Sequence, residues 1–405
     1  MIPFSPPRID QKIVDKVAEV LLSGWITTGP KTKQFENELA TYLTCEKVIC
    51  LNSATAGMEL VLRWFGIQPG DEVIIPAYTY CATANVVMHC GATPVMVDIN
   101  EDDFNISLEK IKAAVSPKTK AIIPVDIGGW PCDYDELMKF VKEESVLNMF
   151  QPRTENQTKL GRILVMADAA HSIGAKYKGR QVGAVTDVAV FSFHAVKNLT
   201  TAEGGAVAMN LGACFDVEQI YQELNIKSLH GQSKDALAKS KAGGGNWRYD
   251  VIEPGFKCNM MDIQAAIGLV ELERYASNLE RRKAIFKHYE SVFEKYSWAI
   301  RPTFKVENSE SSYHLYMLRI KNISEEQRDE IIKGVFDRMV SVNVHFQPLP
   351  LLTAYKSRGY KMEDYPIAYA KYSNEITLPV YFSLSNSDLV KVTSAVVEAV
   401  ETVLN

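Results

Sequence analysis

A single lysine follows a strand-like apolar run near the middle of the chain. The run is DVAVFSF (187–193); Ser192 lies near its end and Lys197 comes four residues after it. An amine withdrawn from water has a lowered pKa and can form a Schiff base with a carbonyl compound. The ordinary alternative is a solvated loop lysine. By itself, the position of Lys197 does not decide between the two.

Three other polar segments also follow predicted strands: NSATAG (52–57), PAYTYCAT (76–83) and DAAHS (168–172). Ligands of open α/β sheets bind beyond the carboxyl ends of the strands, so these segments can share one site. In the first of them, the small residues Ala54 and Thr55 would let backbone amides approach an anion such as phosphate. A plain N-capping turn is the alternative.

The other two segments supply an aromatic ring, a carboxylate and an imidazole. Tyr80 could lie flat against a planar ligand, or be a core tyrosine. Asp168 follows ILVMA, so its carboxylate would emerge with little water and need a cationic partner, unless it caps the next helix. His171 could pack over the same ligand, or be a core histidine.

Taken together, the four strand ends offer an anion cradle, an aromatic plate, a carboxylate for a ring nitrogen and an amine for a Schiff base. These are the groups that a protein provides to pyridoxal phosphate (PLP), including the acid that pairs with the pyridinium. The combination is far more specific than any of its parts. We therefore expect one PLP site at the carboxyl edge of a sheet.

Motifs of other common chemistries are missing from the sequence. There is no G-x-G-x-x-G after the first strand, no G-x-x-x-x-G-K-[ST], no H-E-x-x-H and no G-x-S-x-G. The seven histidines have no ligand spacing, and the seven cysteines contain no C-x-x-C. We therefore expect no metal site and no disulfides, with the thiols reduced in the cytoplasm.

Composition limits the class of protein further. The 405 residues are 47% hydrophobic, enough for a large core and two domains, and the net charge of −5 argues against nucleic acid or an anionic membrane as partner. No window approaches the roughly 18 apolar residues of a membrane helix. Pro3, Pro6 and Pro7 stand where a secretory signal would be apolar.

The elements that must position these residues alternate between strands and helices. Apolar, Val- and Ile-rich runs predict strands covered on both faces: 47–51, 72–76, 94–99, 121–126, 162–168, 187–193 and 205–209. Helices are predicted between them, for example over 55–66 and 107–115. The pattern indicates an α/β fold with a mainly parallel sheet and helices on both faces.

We expect two domains, a large α/β domain over 1–262 and a second part over 263–405. The second part would begin with one long helix, N-capped by Asp262, and continue as a smaller α+β domain. Residues 145–161 are predicted to be an irregular surface excursion, and the glycine-rich segment 240–250 a mobile loop.

Nearly from end to end, the chain resembles the DegT/DnrJ/StrS-type sugar aminotransferases, which are PLP enzymes of the aspartate-aminotransferase (type I) fold. The resemblance fades in the C-terminal third, and FSFHxxKNxTxxEGG is its most specific motif. It rests on GWITTGPKTKQFENELATYL, NSATAG, PGDEVIIPAYTYCATAN, DAAHSIGA, FSFHAVKNLTTAEGGAV and WRYDVIEPGFKCNMMDIQAAIG.

The resemblance implies a role for each candidate residue. Lys197 would hold PLP as a Schiff base and carry the proton, Asp168 would pair with the pyridine nitrogen, and Tyr80 and His171 would pack on the two ring faces. The backbone of Ala54 and Thr55 and the hydroxyl of Ser192 would bind the phosphate.

The resemblance also implies a homodimer with shared active sites. Lys257 would reach the phosphate from the neighbouring subunit, and the loop Trp247 to Tyr249 would cross toward the nucleotide-sugar. The chain departs from the family at Ala54, where Gly or Cys is frequent, and at Pro350, where many members have a histidine that contacts substrate. The excursion at 145–161 is longer than in the family.

The implied reaction is amino transfer from an amino acid, usually glutamate, to a nucleotide-linked keto-sugar such as a UDP- or dTDP-4-keto-6-deoxyhexose. The product would serve surface polysaccharide, glycan or antibiotic-sugar biosynthesis. Two alternatives are a PLP-dependent keto-sugar dehydratase and a regulatory protein of the same fold. The dehydratases replace the Schiff-base lysine with histidine, so Lys197 argues against the first; a regulatory protein would be expected to have lost Lys197 or Asp168.

Overall fold

The structure is a computed structural model and describes residues 1–233 and 248–405. Its strands form a seven-stranded sheet, a three-stranded sheet and a two-stranded hairpin. They are β1 (Lys47–Leu51), β2 (Glu72–Pro76), β3 (Thr93–Val97), β4 (Thr119–Ile122), β5 (Leu164–Asp168), β6 (Lys176–Tyr177), β7 (Arg180–Gln181), β8 (Val188–Ser192), β9 (Gly205–Met209), β10 (Ala299–Ile300), β11 (Tyr316–Ile320) and β12 (Glu375–Leu378).

Helices surround these sheets. They are α1 (Gln11–Ser23), α2 (Pro30–Leu43), α3 (Ala54–Phe65), α4 (Cys81–His89), α5 (Leu108–Ala114), α6 (Tyr134–Phe140), α7 (Glu144–Met149), α8 (Glu155–Leu160), α9 (Val217–Ser228), α10 (Asp262–Glu273), α11 (Tyr275–Phe293), α12 (Glu325–Asp337), α13 (Thr353–Lys356), α14 (Pro366–Tyr372) and α15 (Asn386–Leu404). Short 3₁₀ turns occur at Ile127–Gly129, Val182–Ala184, Leu349–Leu351 and Met362–Asp364.

The large sheet has the strand order β1-β9-β8-β5-β4-β2-β3. β3, β2, β4, β5 and β8 pair in parallel, whereas β9 is antiparallel to both of its neighbours. Strands that run in the same direction end at the same edge, and β1 runs parallel to β8 because both are antiparallel to β9. The carboxyl ends of β1, β2, β5 and β8 therefore lie along one side of the sheet, and the four polar segments noted in the sequence follow them.

Both faces of this sheet are covered, as the apolar strands predicted. Alternate residues of one strand belong to different core clusters: Val188 and Val190 pack on one face with α3 and α4, and Ala189 and Phe191 pack on the other with α2 and α10. The sheet is therefore a rigid platform between two layers of helices.

The C-terminal part forms its own core on the antiparallel sheet β10-β11-β12. Side chains of α11, α12 and α15 pack there, for example Phe286, Ile331 and Val396, and Ile2 from the start of the chain joins them. The α/β fold with a smaller α+β unit is confirmed. The predicted division at residue 262 stays a prediction.

The prediction of an irregular segment over 145–161 was wrong. This stretch carries α7 and α8, and Val146, Phe150 and Gln157 are buried. Thr154 caps α8 by accepting a hydrogen bond from the Gln157 amide at 3.4 Å, and Gly161 ends it with a φ of 69°. Each helix has only six residues, too few for a clear helical period in the sequence.

The prediction of a single long helix after residue 261 was also wrong, because two helices, α10 and α11, are separated by a break at Arg274. Asp262 is the first residue of α10 and does not cap it. Its buried carboxylate instead accepts hydrogen bonds at the start of α2, from the amides of Gly29, Lys31 and Thr32 and from the Thr32 hydroxyl, at 2.7–3.1 Å.

The seven cysteines are all unpaired. In the ranges 1–233 and 248–405, every helix is too short or too polar to cross a membrane.

Candidate active site

A cavity of about 470 Å³ lies at the carboxyl edge of the large sheet, where the C-terminal part meets it. Seven of the eight residues predicted for the site line this cavity: Ala54, Thr55, Tyr80, Asp168, His171, Ser192 and Lys197. They come from the ends of four different elements, so the fold brings together residues up to 143 positions apart in sequence, counting from 54 to 197.

Lys197 lies in the tight turn that follows β8. Its amide donates to the His194 carbonyl at 2.9 Å, and the next residue, Asn198, is anchored by donating to the Ser312 carbonyl at 2.7 Å. Removal from water lowers the pKa of the Lys197 amine to about 8, against the opposing effect of the Asp168 charge. Near neutral pH, this amine can therefore both give up and take up a proton.

Asp168 is the last residue of β5 and is buried beneath the cavity. Its carboxylate accepts from the Thr83 hydroxyl at 2.8 Å and from the Ala170 amide at 3.3 Å. Burial raises its pKa, while these hydrogen bonds and the Lys197 charge act in the opposite direction. A buried carboxylate of this kind is stabilised by a cation, and the pyridinium nitrogen of PLP is such a partner.

The predicted anion cradle is the first turn of α3. Ser53 is the N-cap and accepts from the Ala56 amide at 3.1 Å, so the amides of Ala54 and Thr55 head the helix where no earlier turn supplies an acceptor. A Cβ at Gly205 would come within 2.4 Å of the Ala54 nitrogen, so only glycine lets β9 pack this closely against the turn. Ser192 pairs with Gly205 across β8 and β9 and also lines the cavity. These groups fit a phosphate.

Tyr80 is not a core tyrosine, because 60% of its surface is exposed. It precedes α4 at the cavity entrance, and its ring centroid lies 5.9 Å from that of Phe346. An exposed ring beside a cavity is available to a planar ligand.

His171 is buried, and its Nδ1 accepts a hydrogen bond from the Gly128 amide at 3.3 Å. Its ring stacks on Phe346, with centroids 5.6 Å apart and planes at 22°, and lies 4.4 Å from the His314 ring. Burial, with the Lys197 charge, keeps its pKa well below the usual range. The ring is therefore neutral and carries its proton on Nε2.

Lys257 is the exception among the predicted site residues. It is exposed, donates to the side chain of Asn259, and does not line the cavity of its own chain. Its expected action from a neighbouring subunit stays a prediction. Trp247 and most of the segment 240–250 lie outside the described residues, so the loop predicted to cross toward the nucleotide-sugar is not tested either.

Several residues of the site were not predicted from the sequence. Thr83, which binds Asp168, lies in the PAYTYCAT motif three residues after Tyr80, and its hydroxyl at that spacing was the available signal. The rest of one wall comes from distant segments without a local signal, namely Phe4, His314, His345 and Phe346. Pro350, where many family members have histidine, is buried outside the cavity.

The fold and the site define a type I PLP-dependent transferase. The family described as the DegT/DnrJ/EryC1/StrS aminotransferase family matches residues 7–150 and 154–397. The chain belongs to this family. It is an aminotransferase that uses PLP, as the sequence predicted.

Relatives cover almost the whole chain. The spore coat polysaccharide biosynthesis protein SpsC of Bacillus subtilis is 36% identical over 99% of this chain and 97% of its own. The structure of Spr1654 from Streptococcus pneumoniae, a candidate sugar aminotransferase solved in its PMP-form, has a TM-score of 0.96 at 46% identity, covering 100% of both chains. The same protein is also known in a PLP-form.

A more distant structure has the same fold. Helicobacter pylori PseC, an aminotransferase involved in the biosynthesis of pseudoaminic acid, has a TM-score of 0.86 at 26% identity and covers 99% of each chain.

When bound, PLP supplies the electron sink that lets an amino group leave one carbon and join another. The protein supplies binding, orientation and proton transfer. Asp168 and Thr83 would hold the ring nitrogen, the start of α3 with Ser192 would hold the phosphate, and Lys197 Nζ would provide the amine.

Proposed function

We propose that this aminotransferase moves the amino group of glutamate to the keto group of a nucleotide-linked sugar, with a UDP- or dTDP-4-keto-6-deoxyhexose as acceptor. The observation that carries the proposal is the meeting of Lys197 and Asp168 in one cavity with the head of α3. The names of the relatives support the substrate class, because Spr1654 is described as a candidate sugar aminotransferase and SpsC as a spore coat polysaccharide biosynthesis protein.

Lys197 would act as the proton carrier of both half-reactions. Its pKa of about 8 means that Nζ can accept a proton from the donor amino acid and return one to the carbon that receives the amine. The Asp168 carboxylate, which lies on the same cavity, would hold the ring nitrogen of the cofactor. Lys197 argues against the dehydratase alternative, because the dehydratases have histidine at this position. The presence of both Lys197 and Asp168 in the cavity argues against a purely regulatory role.

A second copy of the chain would complete the site. Among the described residues that line the cavity, Lys197 is the only lysine or arginine. The carboxylates of glutamate and the diphosphate of a nucleotide-sugar need further cations. Lys257 lies in an exposed apolar region of this chain, where Ile252, Phe256 and Met261 are 61%, 38% and 43% exposed. This region fits a dimer contact that carries Lys257 into the partner's cavity.

The experiment separates the two half-reactions. Purified protein is loaded with PLP, and glutamate is added while the visible absorbance is followed. We expect the band to disappear as the amino form of the cofactor accumulates. Addition of a keto-sugar should restore the band and yield an amino-sugar detectable by mass spectrometry.

The acceptors to be compared are 4-keto and 3-keto hexoses linked to UDP or dTDP. A protein that bleaches with glutamate but aminates none of these sugars would contradict the proposed substrate class. A protein that does not bleach with glutamate would contradict the donor. We also infer that the enzyme works in the cytoplasm and supplies amino-sugars for surface polysaccharide, glycan or antibiotic-sugar biosynthesis.

A further inference from the structure

One wall of the cavity contains a histidine that hydrogen-bonds to two buried residues of β12. His345 lines the cavity and is half-buried. Its Nδ1 lies 3.1 Å from the Thr377 hydroxyl, and that hydroxyl lies 2.5 Å from a carboxylate oxygen of Glu375. The other oxygen of Glu375 accepts from the His345 amide at 3.1 Å. The three residues form a closed set of hydrogen bonds.

Backbone contacts fix the same segment. Asn343 and Thr377 exchange backbone hydrogen bonds at 3.1 and 2.7 Å, and the Tyr78 hydroxyl donates to the His345 carbonyl. On the other side, Phe4 stacks on the imidazole, with centroids 5.5 Å apart and planes at 21°. The ring is therefore held in one orientation, with Nδ1 turned toward β12 and Nε2 away from it.

Glu375 and Thr377 do not line the cavity, and both are fully buried. A buried acid is costly, so its presence behind a cavity residue calls for an explanation. Its carboxylate hydrogen-bonds to Thr377 and to the His345 amide, and the charges of Arg328 and Arg319 also act on it. Among the described residues, none of those predicted to bind PLP hydrogen-bonds to the Glu375 side chain.

We propose that His345 binds a hydroxyl of the sugar acceptor through Nε2, and that Thr377 and Glu375 are positioning residues that hold its ring for this contact. The inference rests on the proposed function. On this proposal, the cavity wall that contains His345 helps to select the sugar acceptor, a role that the PLP-binding groups do not provide.

The chemistry of the imidazole selects the ligand. If the Thr377 hydroxyl donates to Glu375, it accepts from Nδ1 of His345, and Nε2 has no hydrogen. If instead Glu375 donates to the Thr377 hydroxyl, that hydroxyl donates to Nδ1, and Nε2 carries the hydrogen. A hydroxyl can pair with either form because it both donates and accepts, whereas a carboxylate can pair with only one. Burial and the Lys197 charge lower the pKa of His345 to about 4, so the ring is neutral and offers no charge to the carboxylates of glutamate.

The test is Thr377→Val, which keeps the shape of the side chain and removes the hydroxyl. Glutamate and a dTDP- or UDP-linked 4-keto-6-deoxyhexose are used as probes, and the two half-reactions are measured separately on PLP-loaded protein. We expect the KM for the keto-sugar to rise about fivefold, the effect of one neutral hydrogen bond, with the glutamate half-reaction unchanged. Thr377→Ser keeps the hydroxyl and should restore the wild-type KM.

A second pair of variants examines Glu375. Glu375→Met has a similar length and no hydrogen-bonding oxygen, so it should raise the KM for the keto-sugar as Thr377→Val does. Glu375→Gln can keep both hydrogen bonds and should stay close to wild type. Thr393→Val removes another buried hydroxyl of the C-terminal core, on α15, and serves as the matched control with no effect on either half-reaction.

The outcomes are distinct. An unchanged KM for the keto-sugar in Thr377→Val, with active wild type, would overturn the inference and leave the proposed function standing. Equal slowing of both half-reactions would also overturn it, because it would show a general structural role. A wild type that aminates neither sugar would contradict the proposed substrate class, and the inference would fall with it.

Discussion

At the scale of single residues, Lys197 and Asp168 lie on the same cavity, and each shifts the pKa of the other. Asp168 raises the pKa of the amine, but the loss of water around Lys197 outweighs that effect and brings it to about 8. Reactivity at neutral pH thus depends on burial, which a sequence motif does not display.

This balance predicts how PLP capture depends on pH. The neutral amine is the nucleophile, so the rate at which apoprotein binds PLP covalently should rise with pH and level off above about 8, not above the ordinary lysine value of 10.5. The measurement is the growth of visible absorbance after mixing, over a series of buffers.

Asp168→Asn is the informative comparison for that profile. It removes the negative charge that raises the pKa of Lys197, so the midpoint should move to lower pH. A midpoint near 10 in the wild type, or a shift to higher pH in the variant, would contradict this account of the site.

At the scale of elements, Asp262 links the start of α10 to the start of α2. Its carboxylate accepts four hydrogen bonds from the segment Gly29 to Thr32, so it satisfies amides that α2 cannot pair internally. The two helices pack on the face of the sheet opposite α3. Their junction therefore stabilises the platform under the cavity.

We predict that Asp262→Ala lowers the free energy of unfolding by about 2–5 kcal/mol, because several buried donors lose their acceptor. Urea unfolding followed by circular dichroism measures the change. Ser324→Ala at the exposed N-cap of α12 is the control and should cost about 1 kcal/mol. Similar losses in the two variants would show that Asp262 is an ordinary cap.

At the scale of the whole molecule, the proposed dimer determines how the active site is completed. Lys257 does not line the cavity of its own chain, and it lies in a segment with the exposed apolar residues Ile252, Phe256 and Met261. Subunits that share residues should complement each other when different residues are removed.

We predict that a heterodimer of one Lys197→Ala chain and one Lys257→Ala chain, isolated with two different tags, has about half of the wild-type activity, since one of its two shared sites is intact. The two homodimers should be nearly inactive. Activity is measured as amino-sugar formed per dimer. An inactive heterodimer would show that each chain uses its own Lys257, and a monomer in sedimentation would exclude sharing.

The sequence by itself determined the platform and seven of the residues that line the cavity. Apolar runs such as 187–193 and 205–209 identify strands because buried strands are continuously apolar, and polar residues at their ends identify the site because parallel strands end together. Asp168, Lys197, Ala54, Thr55, His171 and Ser192 could be found in this way, since each adjoins a recognisable strand.

Only the tertiary structure decided which distant segments close the cavity and which partner each buried acid takes. Asp262 was expected to cap its own helix but binds a segment 230 residues earlier in the chain, and Glu375 lies behind His345 in a wall to which Phe4 also contributes. Local periodicity reports which side of an element is buried, because burial repeats with the period of the helix or strand. The partner against which that side packs depends on how the whole chain is arranged in space, and no local pattern contains it.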